Sequence, residues 1–208
     1  DYLKEIYSLK CGEGRVATSL LASRMGVTAP SVTSMVKKLA GLGLVEHALY
    51  RGVLLTEAGE RIALEIMRHH RLLELHLAES LGLEIDRVHA EADRLEHVLS
   101  EELEARIDES LGYPSHDPHG DPIPDATLKL DRSDLKPLAG LAPGEEATIR
   151  RVPDGDPELL RYLASLSLVP GRRVNLRESA PFGGPLSVLV EGCEHAISRE
   201  LAGRIGVA

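Results

Sequence analysis

The chain has few of the residues and segments that mark disulfide-stabilised, secreted or membrane proteins. Its 208 residues include no Trp, one Phe and two Cys, and Cys11 and Cys193 form no CxxC pair. Two unpatterned cysteines are typical of a reducing compartment. No apolar run approaches the ~20 residues of a bilayer-spanning helix, and no basic segment followed by an apolar stretch opens the chain. These absences predict a cytoplasmic protein without a membrane partner.

Acidic residues are concentrated in the middle third of the chain. The formal net charge is −9, but residues 1–66 carry 8 basic and 7 acidic side chains, whereas residues 67–137 carry 8 and 17. An overall negative charge argues against binding to nucleic acid, but the first third is close to neutral and remains free to approach phosphate. A divalent cation bound in the middle third would offset part of the acidic charge there.

The first 56 residues have the pattern of a winged helix-turn-helix. A helix over 1–11 is followed by two short helices, for which Thr18 and Thr28 are the expected N-caps. Two β-rich runs, 44–48 and 53–56, then predict a hairpin that forms the wing.

The second short helix of this pair is predicted to enter the major groove of double-stranded DNA. It carries small hydroxyls near its start and two lysines further along, and an arginine lies at the tip of the wing. Hydroxyls and methyl groups contact base edges, whereas cationic side chains contact phosphate. The predicted DNA-binding residues are Thr28, Pro30, Ser31, Thr33, Ser34, Lys37, Lys38 and Arg51. The alternatives are that these hydroxyls are caps and solvated surface, or that the winged helix binds only protein.

Two long helices are predicted in the middle third, over 57–81 and about 86–111. The second has ligand-type side chains at i, i+4, i+7 and i+8, on a face separate from its apolar stripe. On the preceding helix, His70 and Glu74 repeat the i, i+4 spacing beside His69. The side chains on the second helix are His89, Asp93, Glu96 and His97. Helix pairs that present His and carboxylate groups to each other build metal sites in helical bundles, and the alternative is a solvated acidic face.

The last third changes character after a linker over 112–127 that is rich in Pro and Gly. Short β-like runs over 146–152, 173–178 and 186–191 are separated by turns, with one helical piece near 157–165. This pattern predicts a small SH3-like β-barrel. The fold class is therefore mainly α with a smaller β part, and the predicted domains are 1–64, 65–127 and 128–208.

These residues resemble the diphtheria toxin repressor family of iron- and manganese-dependent regulators. The similarity covers essentially the whole chain, and the segment over 88–97 is the most specific part. The matching segments are 1–7 (DYLKEIY), 29–36 (APSVTSMV), 67–74 (MRHHRLLE), 88–97 (VHAEADRLEH), 141–145 (LAPGE) and 168–171 (LVPG). The last two resemble the family's SH3-like, FeoA-like domain. The resemblance implies a homodimeric repressor of operator DNA that controls metal homeostasis.

The resemblance also implies a set of ligands. Asp1 falls where iron regulators have a methionine and manganese regulators an aspartate, and Asp93 falls where iron regulators have a cysteine and manganese regulators a glutamate. The positions of His70, Glu96 and His97 match ligands shared across the family, and those of Glu74 and His89 match an ancillary site. In iron-type members the third domain donates two further ligands, for which the nearest residues here are Asp156 and Glu158. Lys4 replaces a carboxylate of the short manganese regulators, so their two-ion geometry does not transfer directly.

The donor set itself favours Mn²⁺, with Fe²⁺ as the alternative. Two carboxylates in place of a thioether and a thiolate remove every soft donor, and oxygen ligands with imidazole suit a hard cation.

Two other classes of function remain open at this point. The sequence Asp93-Arg-Leu-Glu96-His97 is one residue away from an H-x-x-E-H zinc hydrolase motif, although two carboxylates and an N-terminal DNA-binding pattern argue against an enzyme. A winged-helix sensor of a small organic ligand is the other alternative, but the chain has few aromatic residues to line such a pocket.

Overall fold

The computed structural model describes residues 1–10, 14–48, 51–131 and 134–208. Cys11 and the predicted turn residues 49–50 therefore lie outside the described residues. The helices of the described residues are α1 (Tyr2–Ser8), α2 (Thr18–Met25), α3 (Ala29–Gly41), α4 (Glu57–Glu79), α5 (Ile85–Leu95), α6 (Glu101–Ser110), α7 (Pro157–Ser165) and α8 (Arg199–Arg204). Their strands are β1 (Val45–Ala48), β2 (Gly52–Leu55), β3 (Lys136–Pro137), β4 (Glu146–Arg151), β5 (Arg173–Ser179), β6 (Leu186–Val190), β7 (Cys193–Ile197) and β8 (Gly206–Val207).

The first compact unit comprises Asp1–Arg68 with Pro124–Leu130. Helices α2 and α3 are joined by a turn at Gly26, whose φ of +64° suits a residue without Cβ. The antiparallel hairpin of β1 and β2 follows α3. Apolar side chains of α1, α2, α3 and β2 are fully buried in one core: Ile6, Leu21, Val32, Val36 and Val53. The predicted winged helix-turn-helix is confirmed.

Of the two N-caps predicted in this unit, one is confirmed and the other is wrong. Thr28 caps α3, because its Oγ1 accepts a hydrogen bond from the backbone N–H of Ser31. The prediction for Thr18 is wrong, since Ala17 is the N-cap of α2 and Thr18 is already helical. Thr56, which was not predicted as a cap, accepts from the backbone N–H of Gly59 at 3.1 Å and begins α4.

The second compact unit comprises His69–Ile123 and Asp131–Ala208. Its helical part is built from the C-terminal portion of α4 with α5 and α6, around apolar residues of all three helices and of the segment that follows: Leu72, Leu73, Leu75, Ala92, Ile107 and Ile123. The single helix predicted over 86–111 is wrong. Ser100 accepts from the backbone N–H of Leu103 and starts a new helix, so a turn separates α5 from α6.

The C-terminal part of the second unit is a six-stranded antiparallel sheet in the order β3-β8-β4-β5-β6-β7. It encloses its own apolar core, to which β5, β6 and α7 contribute residues such as Val174, Val188 and Leu163. The SH3-like prediction is confirmed, and β3, β7, β8 and α8 are additions to it. Helix α7 packs against α5, and the Arg161 guanidinium lies 2.6 Å from Asp86 Oδ2. Among the described residues, no helix combines the length and the apolar character that crossing a bilayer requires.

The close approach of α4 to the wing gives a test of the first unit. A Cβ at Gly59 would lie 2.0 Å from the carbonyl oxygen of Leu44, whereas one at Gly41 would meet no atom within 4 Å. Gly59→Ala should therefore lower the free energy of unfolding by about 1–3 kcal/mol through overpacking. Gly41→Ala should leave it unchanged or raise it slightly. Urea unfolding of the metal-free protein measures both, and equal midpoints for the two variants would contradict this packing.

Candidate metal centre

Helix α4 buries two of the predicted ligands. His70 and Glu74 are separated by one helical turn and therefore lie on the same face. Their relative exposures are 6% and 0%, since the neighbouring residues Leu72, Leu73 and Leu75 pack into the helical core. A carboxylate with no exposure to water needs compensating partners, because desolvating a charge is costly.

The Nε2 side of the His70 ring faces Glu74 and His89. Its Nε2 lies 2.9 Å from Glu74 Oε1 and 3.0 Å from His89 Nδ1. The distance from His89 Nδ1 to Glu74 Oε1 is also 2.9 Å. Helix α5 thus brings His89 to the same carboxylate oxygen that His70 contacts, as the predicted facing of the two helices requires.

The Nδ1 side of the same ring faces the end of α5. His70 Nδ1 lies 2.7 Å from Glu96 Oε2 and 3.3 Å from Asp93 Oδ1. Glu96 is 1% exposed and is the C-cap of α5, while His97 follows it and places Nε2 3.4 Å from Glu96 Oε1. The imidazole of His70 therefore lies between two groups of ligand-type side chains.

His69 holds the turn that carries Glu96. Its Nδ1 lies 3.0 Å from the backbone carbonyl oxygen of Glu96, and its Nε2 lies 2.9 Å from Glu104 Oε2 on α6. Both ring nitrogens are thus occupied by α5 and α6. His69 is a positioning residue rather than a ligand in this geometry.

Hydrogen bonds keep the buried carboxylate ionised. Burial by itself would raise the pKa of Glu74, but the hydrogen bonds with His70 and His89 outweigh burial and lower that pKa far below its usual value. In return, the hydrogen bond to Glu74 raises the pKa of His89 against the opposing effect of burial. The cluster therefore has a fixed negative charge at its centre.

This donor set fits a divalent metal ion. His70, His89 and Asp93 offer ligand atoms that all lie within 4.8 Å of one another. In the described part of the chain, the second oxygen of Glu74, Oε2, is buried and has no hydrogen-bond partner, so one strong acceptor is available. Every donor is a carboxylate oxygen or an imidazole nitrogen, which are ligands of hard or borderline cations.

His119 is a ligand-type residue that was not predicted for the site. It is 0% exposed, and its Nε2 lies 3.8 Å from Glu74 Oε1. Neither ring nitrogen has a hydrogen-bond partner among the described residues. Burial lowers the pKa of His119, which favours the neutral imidazole that binds metals. Its Pro- and Gly-rich surroundings predicted only a linker, but Asp117, His119 and Asp121 are three ligand-type residues within five positions, and that spacing was the available signal.

The remaining predicted ligands belong to the starts of α1 and α7. Asp1 is the N-cap of α1, in the first unit. Asp156 is the N-cap of α7 and accepts hydrogen bonds from the backbone N–H groups of Glu158 and Leu159, while the Glu158 side chain is exposed. The capping bonds use Oδ1 of Asp156. Ligation of a metal by Asp156, by Glu158 and by Asp1 stays a prediction.

The predicted DNA-binding residues lie on α3 and at its N-cap, except Arg51, which lies in the turn just before β2. Three of the hydroxyls are engaged locally, since Thr33 Oγ1 donates to the carbonyl oxygen of Ala29 and Thr28 Oγ1 lies 2.9 Å from Ser31 Oγ. The others, Pro30, Ser34, Lys37, Lys38 and Arg51, are exposed. The arrangement leaves the two lysines accessible to phosphate, and base contacts remain a prediction.

Comparisons with known proteins agree with this division of the chain. Family models match residues 1–53 (iron dependent repressor, N-terminal DNA binding domain), 56–125 (iron dependent repressor, metal binding and dimerisation domain) and 136–208 (FeoA domain). The iron-dependent repressor IdeR of Mycobacterium tuberculosis is 33% identical over 99% of this chain and 94% of its own length. The diphtheria toxin repressor of Corynebacterium efficiens is also 33% identical, over 96% of this chain and 93% of its own length.

Solved structures extend the similarity to three dimensions. A manganese-dependent transcriptional repressor in complex with manganese has a TM-score of 0.90 and 39% identity, and the alignment covers 100% of this chain and 98% of that one. The manganese regulator SloR has a TM-score of 0.81 and 32% identity, and the alignment covers 100% of this chain and 96% of that one. These relatives are regulators of transcription, and the hydrolase alternative finds no counterpart among them. The chain belongs to the iron dependent repressor family, the family of the diphtheria toxin repressor, whose members are metal-dependent transcriptional repressors.

Proposed function

We propose that this repressor responds to Mn²⁺ and that, with the metal bound, it binds operator DNA as a homodimer. The observation that carries the proposal is the donor set around Glu74, in which every ligand-type atom is oxygen or nitrogen. Carboxylate-rich sites without sulfur suit Mn²⁺, although raw affinity increases from Mn²⁺ to Fe²⁺. Fe²⁺ is the second candidate, because curated relatives are named iron-dependent repressors.

A bound divalent cation supplies positive charge and directional ligand bonds at this centre. The protein's own residues determine what those bonds connect. His70 and Glu74 lie on α4, His89 and Asp93 lie on α5, and Glu96 lies at the C-cap of α5. Ligation would therefore fix two helices and a turn relative to one another and would relieve the repulsion between their carboxylates.

The resemblance to the family supports Asp1 as a further ligand. Asp1 belongs to the same unit as α3, so ligation by Asp1 would connect the orientation of the recognition helix to metal occupancy. The metal would then reduce the population of dimers in which the two recognition helices are wrongly spaced for DNA. A homodimer presents two recognition helices, and its operator is expected to be a (pseudo)palindrome with half-sites about one helical turn apart or a multiple of it.

Metal choice is tested by the variant that combines Asp1→Met with Asp93→Cys. These changes introduce soft donors, so Fe²⁺, Co²⁺ and Ni²⁺ should gain over Mn²⁺ as activators of operator binding. The measurement is operator affinity at fixed free concentration of each metal, with metal-binding titrations to separate affinity from activation. Glu91→Cys is the control, because it also replaces an acidic residue of α5 by a thiol but lies outside the cluster. Unchanged activation by Mn²⁺ in the double variant would show that neither aspartate is a ligand.

Metal-dependent stability tests the role of Glu74. At a free Mn²⁺ concentration about a hundred times Kd, the free energy of unfolding should increase by ~2.7 kcal/mol. Glu74→Gln removes the buried charge and should abolish most of that increase. Glu79→Gln makes the same change at an exposed position near the end of α4 and should retain the increase. Thermal or urea unfolding with and without Mn²⁺ provides the values, and an undiminished increase in Glu74→Gln would contradict ligation by this residue.

The salt dependence of operator binding tests the placement of α3. Lys37→Ala should weaken binding to all DNA sequences and reduce the slope of log K against log salt concentration by roughly one unit, since one phosphate contact is lost. Lys136→Ala removes the same charge from the C-terminal domain and serves as the control. If Lys37→Ala changed sequence preference and left the slope intact, the orientation of α3 on DNA would have to be revised.

A further inference from the structure

The segment over 117–123, here called the bridging segment, contacts both α4 and β4 within the second unit. We propose that Arg71 and Gly120 are positioning residues, which hold the bridging segment between α4 and β4 so that the His119 imidazole faces Glu74. The proposal rests on the proposed function, because it assigns to His119 a place in the same metal centre. It gives the C-terminal domain an influence on the metal that requires no ligand from that domain.

On the α4 side, the Arg71 guanidinium holds the bridging segment. Its Nη1 donates to the backbone carbonyl oxygen of Pro122 at 2.5 Å. Its Nε lies 3.6 Å from Asp117 Oδ2, and its Nη2 lies 3.8 Å from Asp121 Oδ1. The planar guanidinium can bind at both ends of the segment at once, whereas a lysine ammonium is a single point of charge. Arg71 precedes Glu74 by three residues, so the segment is fixed one turn of α4 away from that carboxylate.

On the β4 side, the contact is made by backbone atoms. The N–H of Val152, immediately after β4, donates to the carbonyl oxygen of His119 at 2.9 Å. Gly120 has a φ of +90°, and a Cβ at this position would lie 1.7 Å from the carbonyl oxygen of Arg150. Any other residue at 120 would therefore push the bridging segment away from β4.

The backbone of the bridging segment places the His119 ring, and the ring itself is buried without a hydrogen bond to a described residue. The turn itself is tight, because Asp117 Oδ1 accepts from the backbone N–H groups of both His119 and Asp121 at 2.9 Å. The distance from the ring to Glu74 therefore follows from where α4 and β4 hold this turn.

The experiment uses the full-length protein and the variants Gly120→Ala, Arg71→Lys and His119→Ala. Two quantities are measured: hydrogen exchange of the Val152 amide without metal, and Mn²⁺ affinity by titration of free Mn²⁺. Gly144→Ala is the matched control, because Gly144 has a φ of +87° but a Cβ there would meet no atom within 4 Å. It reproduces the backbone strain without the clash.

Gly120→Ala should accelerate exchange at Val152 in the metal-free protein and should lower Mn²⁺ affinity about 10-fold or more, as loss of a residue that orients a ligand does. His119→Ala should lower the affinity at least as much, and Gly144→Ala should change neither quantity. Arg71→Lys leaves the β4 side intact, so it should lower Mn²⁺ affinity by a similar factor with less effect on Val152. If Gly120→Ala does not fold, the Mn²⁺ affinity of Arg71→Lys tests whether the bridging segment positions His119.

Wild-type Mn²⁺ affinity in His119→Ala, or in both Gly120→Ala and Arg71→Lys, would overturn the inference and leave the proposed function standing. A wild-type protein that binds no Mn²⁺ would instead contradict the proposed function, and this inference with it.

Discussion

The ionised carboxylate of Glu74, buried without exposure to water, is the constraint around which the second unit is organised. A buried charge is tolerated only when it is paired and hydrogen-bonded. Glu74 meets this requirement with two imidazoles, His70 from its own helix and His89 from α5. One oxygen still has no hydrogen-bond partner among the described residues. A site that gathers negative charge in this way is more stable with a cation than without one, and this difference is the physical basis of the metal sensing that we propose.

The surrounding structure can be understood as support for that carboxylate. The apolar residues Leu72, Leu73 and Leu75 bury α4 on either side of it, and Ala92 does the same for α5. His69 ties the turn at Glu96 to α6, while Arg71 and the backbone of β4 hold the segment that carries His119. Residues outside the proposed ligand set thus fix the geometry of the proposed ligands, as is general for metal sites in proteins.

The sequence predicted most of the helices, and it placed pairs of ligand-type residues on common helix faces, because both depend on local spacing. His70 and Glu74, and likewise His89 and Asp93, are one turn apart, and a helix brings such pairs together regardless of the remaining fold. The break between α5 and α6 was missed because its signal is a single capping residue, Ser100, within an otherwise helical pattern. His119 was missed for a different reason: its approach to Glu74 depends on contacts of the bridging segment with α4 and β4, which no local pattern encodes.

We propose that metal occupancy and operator binding are thermodynamically coupled through the centre built on α4 and α5. Coupling of this kind is reciprocal, so operator DNA must tighten metal binding by the same factor by which the metal tightens operator binding. The direct measurement is a Mn²⁺ titration of the protein alone and of the protein saturated with operator DNA, at one salt concentration. Reciprocal coupling predicts a lower Kd for Mn²⁺ in the presence of operator, by the factor by which Mn²⁺ tightens operator binding. Equal Kd values with and without operator would contradict it.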